Sequence, residues 1–282
     1  MMGRERRRRL VNRLMEGVAV FSAVVTLLPL ALILAFLIYQ GISYINWDFF
    51  TKMPQPVGEA GGGMANGIVG TLILIGLASL IGLPMGIGAG VYVAENGHTR
   101  LAWVTRFLAD VLNGVPSIVV GIFAYTLVVL PMRTFSAVAG GFALGIMMIP
   151  VVLRTTEEML KLVPTSLREG ALALGVPRWK VTVRVALRTA RAGIITGIML
   201  AVARIAGETA PLLFTAFGNQ FWSIRLDEPI AAMPLQIFTY AISPYDSWHA
   251  QAWAGALVLV CLILVISMVA RTAGRGRFGV VR

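Results

Sequence analysis

The chain has 282 residues, of which 57% are hydrophobic and only 13% charged. An ordinary globular domain is about 25% charged, and a soluble fold this apolar would leave large greasy patches in water, so composition excludes one. The net charge of +11 admits either nucleic acid or an anionic membrane surface, and the position of the charges decides between them.

A bilayer core takes roughly 20 apolar residues to cross as a helix, and only helices or closed barrels satisfy the backbone there. Uncharged runs of that length occupy 18–39, 60–94 (with the crossing at 68–93), 111–132, 134–153 and 250–270. A further run, 192–217, is interrupted by two charges. None alternates as a barrel strand does. These runs predict an all-α polytopic membrane protein with six spans. The first run follows the basic stretch Arg6-Arg7-Arg8-Arg9, as a signal peptide would. It is too long for one, however, and Tyr39-Gln40-Gly41 is not a small-residue cleavage site. A retained first helix is expected.

Lys and Arg mark the inside face. With a cytoplasmic N-terminus, 20 of them fall in inside segments and 3 outside (Lys52, Arg133 and Arg225), leaving Arg204 within the membrane. Both termini are therefore expected in the cytoplasm. The domain reading is a basic tail at 1–17, a first helix at 18–39, an outer loop at 40–65, a transmembrane domain at 66–270 and a basic tail at 271–282. The same asymmetry explains the net charge without nucleic acid. The second outer segment, 218–249, carries Trp222, Tyr240, Tyr245 and Trp248, an interfacial composition.

The most informative soluble stretch is the inside loop at 154–191. Thr155 with Glu158, and Ser166 with Glu169, fit capping boxes. Pro164 separates them, and a short helix is predicted from Leu167 to Leu174, stopped by a left-handed Gly175 with Pro177 beyond it. Leu167, Ala171 and Leu174 share a face, and Gly170, Ala171 and Ala173 allow close approach. Two turns are not stable alone in water, so this helix packs either on the chain's own helix ends or in a partner's cleft. Lys180, Arg184, Arg188 and Arg191 then recur at helical spacing as a stripe suited to anionic headgroups.

Arg204 and Glu208 interrupt the fifth run. Counting from Gly193, Arg204 lies roughly 16 Å deep at the helical rise. An ionisable group at that depth marks a functional site by default. The i,i+4 spacing predicts a shared face, so the two form either a structural ion pair or a site where the forked guanidinium meets an oxyanion. Pro211 is expected to kink this helix. Asn113, Ser117 and Thr209 are further path candidates, although a polar residue in a bundle also serves simply by bonding a neighbouring helix. Asp110 is expected to cap the third helix.

No P-loop is present, since the three lysines follow Thr51, Leu160 and Trp179. No nucleophile–base set is visible. Cys261 is the one cysteine, and His98 and His249 are isolated, so no metal cluster is expected. A transport subunit fits better than an enzyme.

Glu169-Gly170-Ala171, with Gly175 six residues after the Glu, resembles the cytoplasmic EAA loop of binding-protein-dependent ABC importer permeases. The first Ala of that motif is Gly here, and the Pro of its tail is Arg188. The run 204–213, Arg-Ile-Ala-Gly-Glu-Thr-Ala-Pro-Leu-Leu, is similar to the fifth-helix signature of the phosphate-specific PstA branch of the family. So are Gly114-Val115-Pro116-Ser117 and Met233-Pro234-Leu235-Gln236 to their counterparts, the likeness running from about Asn66 to Ala270. The resemblance implies a type I importer permease fold in a bacterial inner membrane. It implies phosphate as cargo, with Arg204 and Glu208 on its path, and a coupling helix carrying Leu167, Glu169, Gly170, Ala171, Leu174 and Gly175. The implied partners are a homologous PstC-like permease, a PstB-like ATPase pair holding ATP and Mg, and a PstS-like phosphate-binding protein. A sulfate or molybdate permease, and a secondary transporter without an ATPase, are the alternatives.

Overall fold

A computed structural model describes residues 2–56 and 61–274. Part of the expected outer loop (57–60) and most of the basic tail (275–282) lie outside the described residues. The elements, in order, are α1 (Met2–Gly41), a short α2 (Trp47–Thr51), α3 (Ala65–Glu95) and α4 (Arg100–Gly114). Next come α5 (Ser117–Met132), α6 (Ala137–Lys161), α7 (Thr165–Ala173) and α8 (Arg178–Ala206). A one-turn α9 (Ala210–Leu213), α10 (Met233–Ala241) and α11 (Asp246–Gly274) complete the chain. Both α5 and α8 contain a π turn, at Tyr125–Val129 and Thr182–Ala186.

The centre of the bundle is α3 against α6. Gly82, Gly86 and Gly90 recur at four-residue spacing on α3, the small-xxx-small pattern that lets membrane helices approach closely. A Cβ at these positions would fall 2.8 Å from Met148, 2.7 Å from Val152 and 2.7 Å from Thr156 on α6. The two helices therefore touch backbone to side chain, and α6 buries most of its length. Helix α8 packs on α6 beside α3, with Gly197 against Thr155. The main apolar core joins Leu74 and Ala78 of α3, Leu144 and Met148 of α6, Val202 and Ile205 of α8, and Leu212 of α9.

Helix α1 is different. Its side chains are exposed almost throughout, and it meets the bundle only through its last turns. There Leu37 is buried, Gly41 sits against Trp253 and Leu257 of α11, and Phe36 lies edge-on to Trp253 at 5.2 Å.

Among the described residues five helices are long and apolar enough to cross a membrane, and α4 with α5 passes that test only as a bent pair. The expected straight span at 111–132 does not form, because α4 and α5 meet at 105°. Pro116 has no N–H to give and disfavours helix at Val115; both residues are extended (ψ 130° and 135°). The expected capping box at Thr155 and Glu158 is also absent. Helix α6 runs uninterrupted through both residues, and the Thr155 hydroxyl donates back to the Val151 carbonyl at 2.9 Å.

Candidate functional site: two helix breaks and a docking helix

The fifth span also breaks. Helix α8 ends at Ala206, and Gly207, Glu208 and Thr209 form a non-helical link to α9. Pro211 is the cause: in a continuous helix its ring would strike the Gly207 carbonyl, and it has no N–H to offer. Arg204 and Glu208 therefore do not share a helix face, contrary to their spacing, and no ion pair forms between them. Arg204 occupies the last turn of α8, where a cation complements the helix dipole. It is exposed and has no hydrogen-bond or ion-pair partner among the described residues. It lies about 20 Å along the helix from Arg191, the last of the basic stripe.

The two breaks are neighbours. Gly121 of α5 abuts Pro211 of α9, and Val115 and Val120 join the apolar cluster of Ile205, Ala206 and Leu212. Asn113 lies in the last turn of α4 and Ser117 is the first residue of α5; both are half-buried, as are Glu208 and Thr209. The fold thus gathers the segments that carry all five path candidates. Irregular backbone at membrane depth is tolerated only where protein covers it or where it lines a cavity. Arg204, two residues before the end of α8, has no partner among the described residues beside the second of these breaks.

The loop helix is α7, at Thr165–Ala173. It starts two residues earlier than its sequence pattern suggests. Pro164 precedes it, and neither Ser166 nor Glu169 makes the predicted capping box, since no side chain caps this helix. Its C-terminus is as expected. Gly175 has φ +78°, the Val176 N–H reaches the Ala171 carbonyl at 3.2 Å, and the Gly175 N–H reaches Leu172 at 2.9 Å. That double bond is a Schellman stop. No residue of α7 is buried, and Leu167 and Leu174 are 47% and 85% exposed. Ala171 is half-buried, while Glu169 and Gly170 are open. Of the two packing options, the chain's own helix ends meet this helix at Arg168 and leave Leu167 and Leu174 exposed.

One charged constellation escaped sequence reasoning. Glu157 of α6 is 1% exposed and is met by Arg106, Arg154 and Lys161. Asp110 does not cap a helix; Thr99 caps α4, and Asp110 pairs with Arg154. The signal was present as Arg154, Glu157 and Lys161 at one-turn spacing near a span end, but Arg106 is remote in sequence. No group of residues suited to a metal occurs among the described residues. Away from the spans, burial pushes the Tyr240 phenol up to about 12, and the hydrogen bond from Arg225 holds Asp227 below the usual carboxylate range.

Residues 82–276 match the model of the family described as binding-protein-dependent transport system inner membrane component. The chain belongs to this family. Every path and docking residue named above falls inside the matched region of this inner membrane component. Its relatives include the phosphate transport system permease protein PstA of Yersinia pestis, 49% identical over 94% of this chain and 90% of that one. A protein of the same description plus the numeral 1 from Mycobacterium tuberculosis is 37% identical over 94% and 87%. A probable PstA from Methanocaldococcus jannaschii is 40% identical over 88% of each chain. Among solved structures, a chain of the MetNI methionine ABC transporter in an inward-facing conformation superposes with a TM-score of 0.57, at 18% identity, over 76% of this chain and 93% of that one. The helical arrangement is thus that of an ABC importer permease.

Proposed function

We propose that this inner membrane component is the permease subunit of an ATP-driven phosphate importer. The observation that carries the reading is the 49% identity, over nearly the whole chain, to a phosphate transport permease. Two features support it. Arg204, unpaired at a helix break, presents a planar fork of donors that suits a tetrahedral oxyanion. Glu208, placed beyond the helix end and not tied to Arg204, is free to accept a proton from a protonated oxyanion or to shape the site's field. Thr209 supplies a polar group beside Glu208, and Asn113 and Ser117 supply polar groups from the facing break.

The energy for transport comes from ATP and Mg on a partner ATPase pair, and this chain is a non-catalytic subunit. Helix α7 is the part we assign to that partner. It is short and uncovered, with Leu167 and Leu174 facing outward, and eight or nine residues of helix need a surface to pack on. The loop at 154–191 and both termini then face the cytoplasm. A homologous permease completes the path, and an outer phosphate-binding protein delivers the cargo.

The test is reconstitution. The chain is purified with its ATPase and sister permease into liposomes, with the binding protein and phosphate outside. ATP-dependent uptake of phosphate, not competed by sulfate or molybdate, is expected. Uptake of another oxyanion in its place, or uptake without ATPase, would overturn the assignment.

A further inference from the structure

The basic end of the bundle contains a buried carboxylate that the path and the docking helix do not account for. Glu157 receives Arg106 Nε at 2.6 Å, Lys161 Nζ at 2.5 Å and Arg154 Nη1 at 3.3 Å. Arg154 also grips Asp110, with Nε to Oδ1 at 2.9 Å. Arg154, Glu157 and Lys161 lie along α6, whereas Arg106 and Asp110 lie one turn apart on α4. Arg106 further donates to the Val93 and Gly97 carbonyls, both at 3.1 Å, which ties in the end of α3.

The docking helix joins the same assembly. Arg168 of α7 pairs with Glu95, the last residue of α3, and its Nη2 donates to the Leu160 carbonyl at 2.9 Å. Leu160 lies between Glu157 and Lys161. At the other end, α4 stops at Gly114, four residues past Asp110, where the break before α5 begins. Ion pairs, together with guanidinium bonds to the Leu160, Val93 and Gly97 carbonyls, therefore link α7, the ends of α3 and α6, and α4 as far as Asp110, about one turn before the break. Helix α4 packs through Ala102 and Ala109, while Leu101, Trp103, Val104, Phe107 and Leu108 on its other faces are exposed.

We propose that Glu157 is a positioning residue of the transport cycle, the fulcrum through which displacement of α7 swings α4 and so moves the break at residues 115–116. Apolar contacts between helices permit sliding, whereas a buried carboxylate bonded by several cations fixes direction and distance. Removing its charge leaves three cations facing one another without their shared anion. The proposal rests on the importer reading above.

The experiment compares wild type with Glu157→Gln in the assembled complex with its ATPase. It reads phosphate imported per ATP hydrolysed, together with the spin-label distance between Leu112 on α4 and Leu72 on α3 with and without nucleotide. Glu157→Gln keeps the side chain's size but loses its charge. It is expected to lower the transport ratio by roughly tenfold while ATP hydrolysis continues, and to abolish the nucleotide-driven change in label distance. Asp110→Asn, whose carboxylate is 56% exposed and whose loss the fold tolerates, is expected to lower the ratio in the same sense but less. Uptake and hydrolysis falling in equal proportion in both variants, or a normal ratio in folded Asp110→Asn, would overturn the proposal. So would a wild-type label distance that ignores nucleotide. Failure of wild type to import phosphate, with the label change intact, would count against the cargo assignment and leave the fulcrum standing.

Discussion

Gly121 of α5 faces Pro211 of α9 so closely that a Cβ on the glycine would fall 2.6 Å from the proline Cα. Backbone stands on both sides of that contact, so neither partner yields by changing rotamer. Gly121→Ala is expected to prise the two helix breaks apart, at about 1–3 kcal/mol, the usual cost of overpacking. The measurement is phosphate uptake per unit of purified complex, which falls even where the protein remains folded.

Arg204 is exposed and bonded to no described residue, so its one contribution to the fold is to the dipole at the end of α8. Arg204→Gln is therefore expected to change stability by no more than about 0.5 kcal/mol while stopping phosphate uptake. Thermal denaturation alongside the uptake assay checks both halves. Near-normal uptake would return Arg204 to the role of a helix-end cation.

Gly175 holds φ +78° at the stop of α7. Gly175→Val places a β-branched residue in the left-handed region, a cost of about 1–2 kcal/mol, and is expected to loosen the docking helix. Deleting 167–175 removes it. Co-purification of the ATPase is the measurement: reduced by the substitution and abolished by the deletion. Full retention of the ATPase after deletion would dismiss α7 as the docking element.

Thr71 of α3 accepts the Met233 N–H at 2.9 Å, capping α10 across 162 residues of chain. Both groups are buried. Thr71→Val keeps the volume and removes the acceptor, leaving an unsatisfied donor at about 1–3 kcal/mol. A lower unfolding midpoint with the transport ratio unchanged is the expected pattern.

The spans were legible because an uncharged apolar block of about twenty residues matches the bilayer core in length. Gly175 was legible because a left-handed helix stop calls for glycine, and Val-Pro follows it. The breaks were less so. Pro116 lies in an uncharged run, and hydropathy does not see φ and ψ. Pro211 announced a kink, but its effect reaches back to Gly207 and separates Arg204 from Glu208, which spacing alone would place together. The capping boxes failed for another reason: a Thr or Ser three residues before a Glu recurs by chance, and the helix packing of α6 overrides it at Thr155. Glu157 was invisible as a hub because its partner Arg106 sits 51 residues away, and sequence spacing reports only neighbours on one helix.

Helix α1 is anchored at one end only, through Leu37 and Gly41. Its apolar stretch, residues 18–39, makes a rod about 33 Å long, close to the hydrocarbon thickness of roughly 30 Å, and the arginine-rich turns before it continue the same helix. Such a rod accommodates a thinner or thicker bilayer by changing its tilt, pivoting about the contact with Trp253 and Leu257. Since that contact is with α11, such a tilt leaves the tightly packed α3–α6 pair undisturbed.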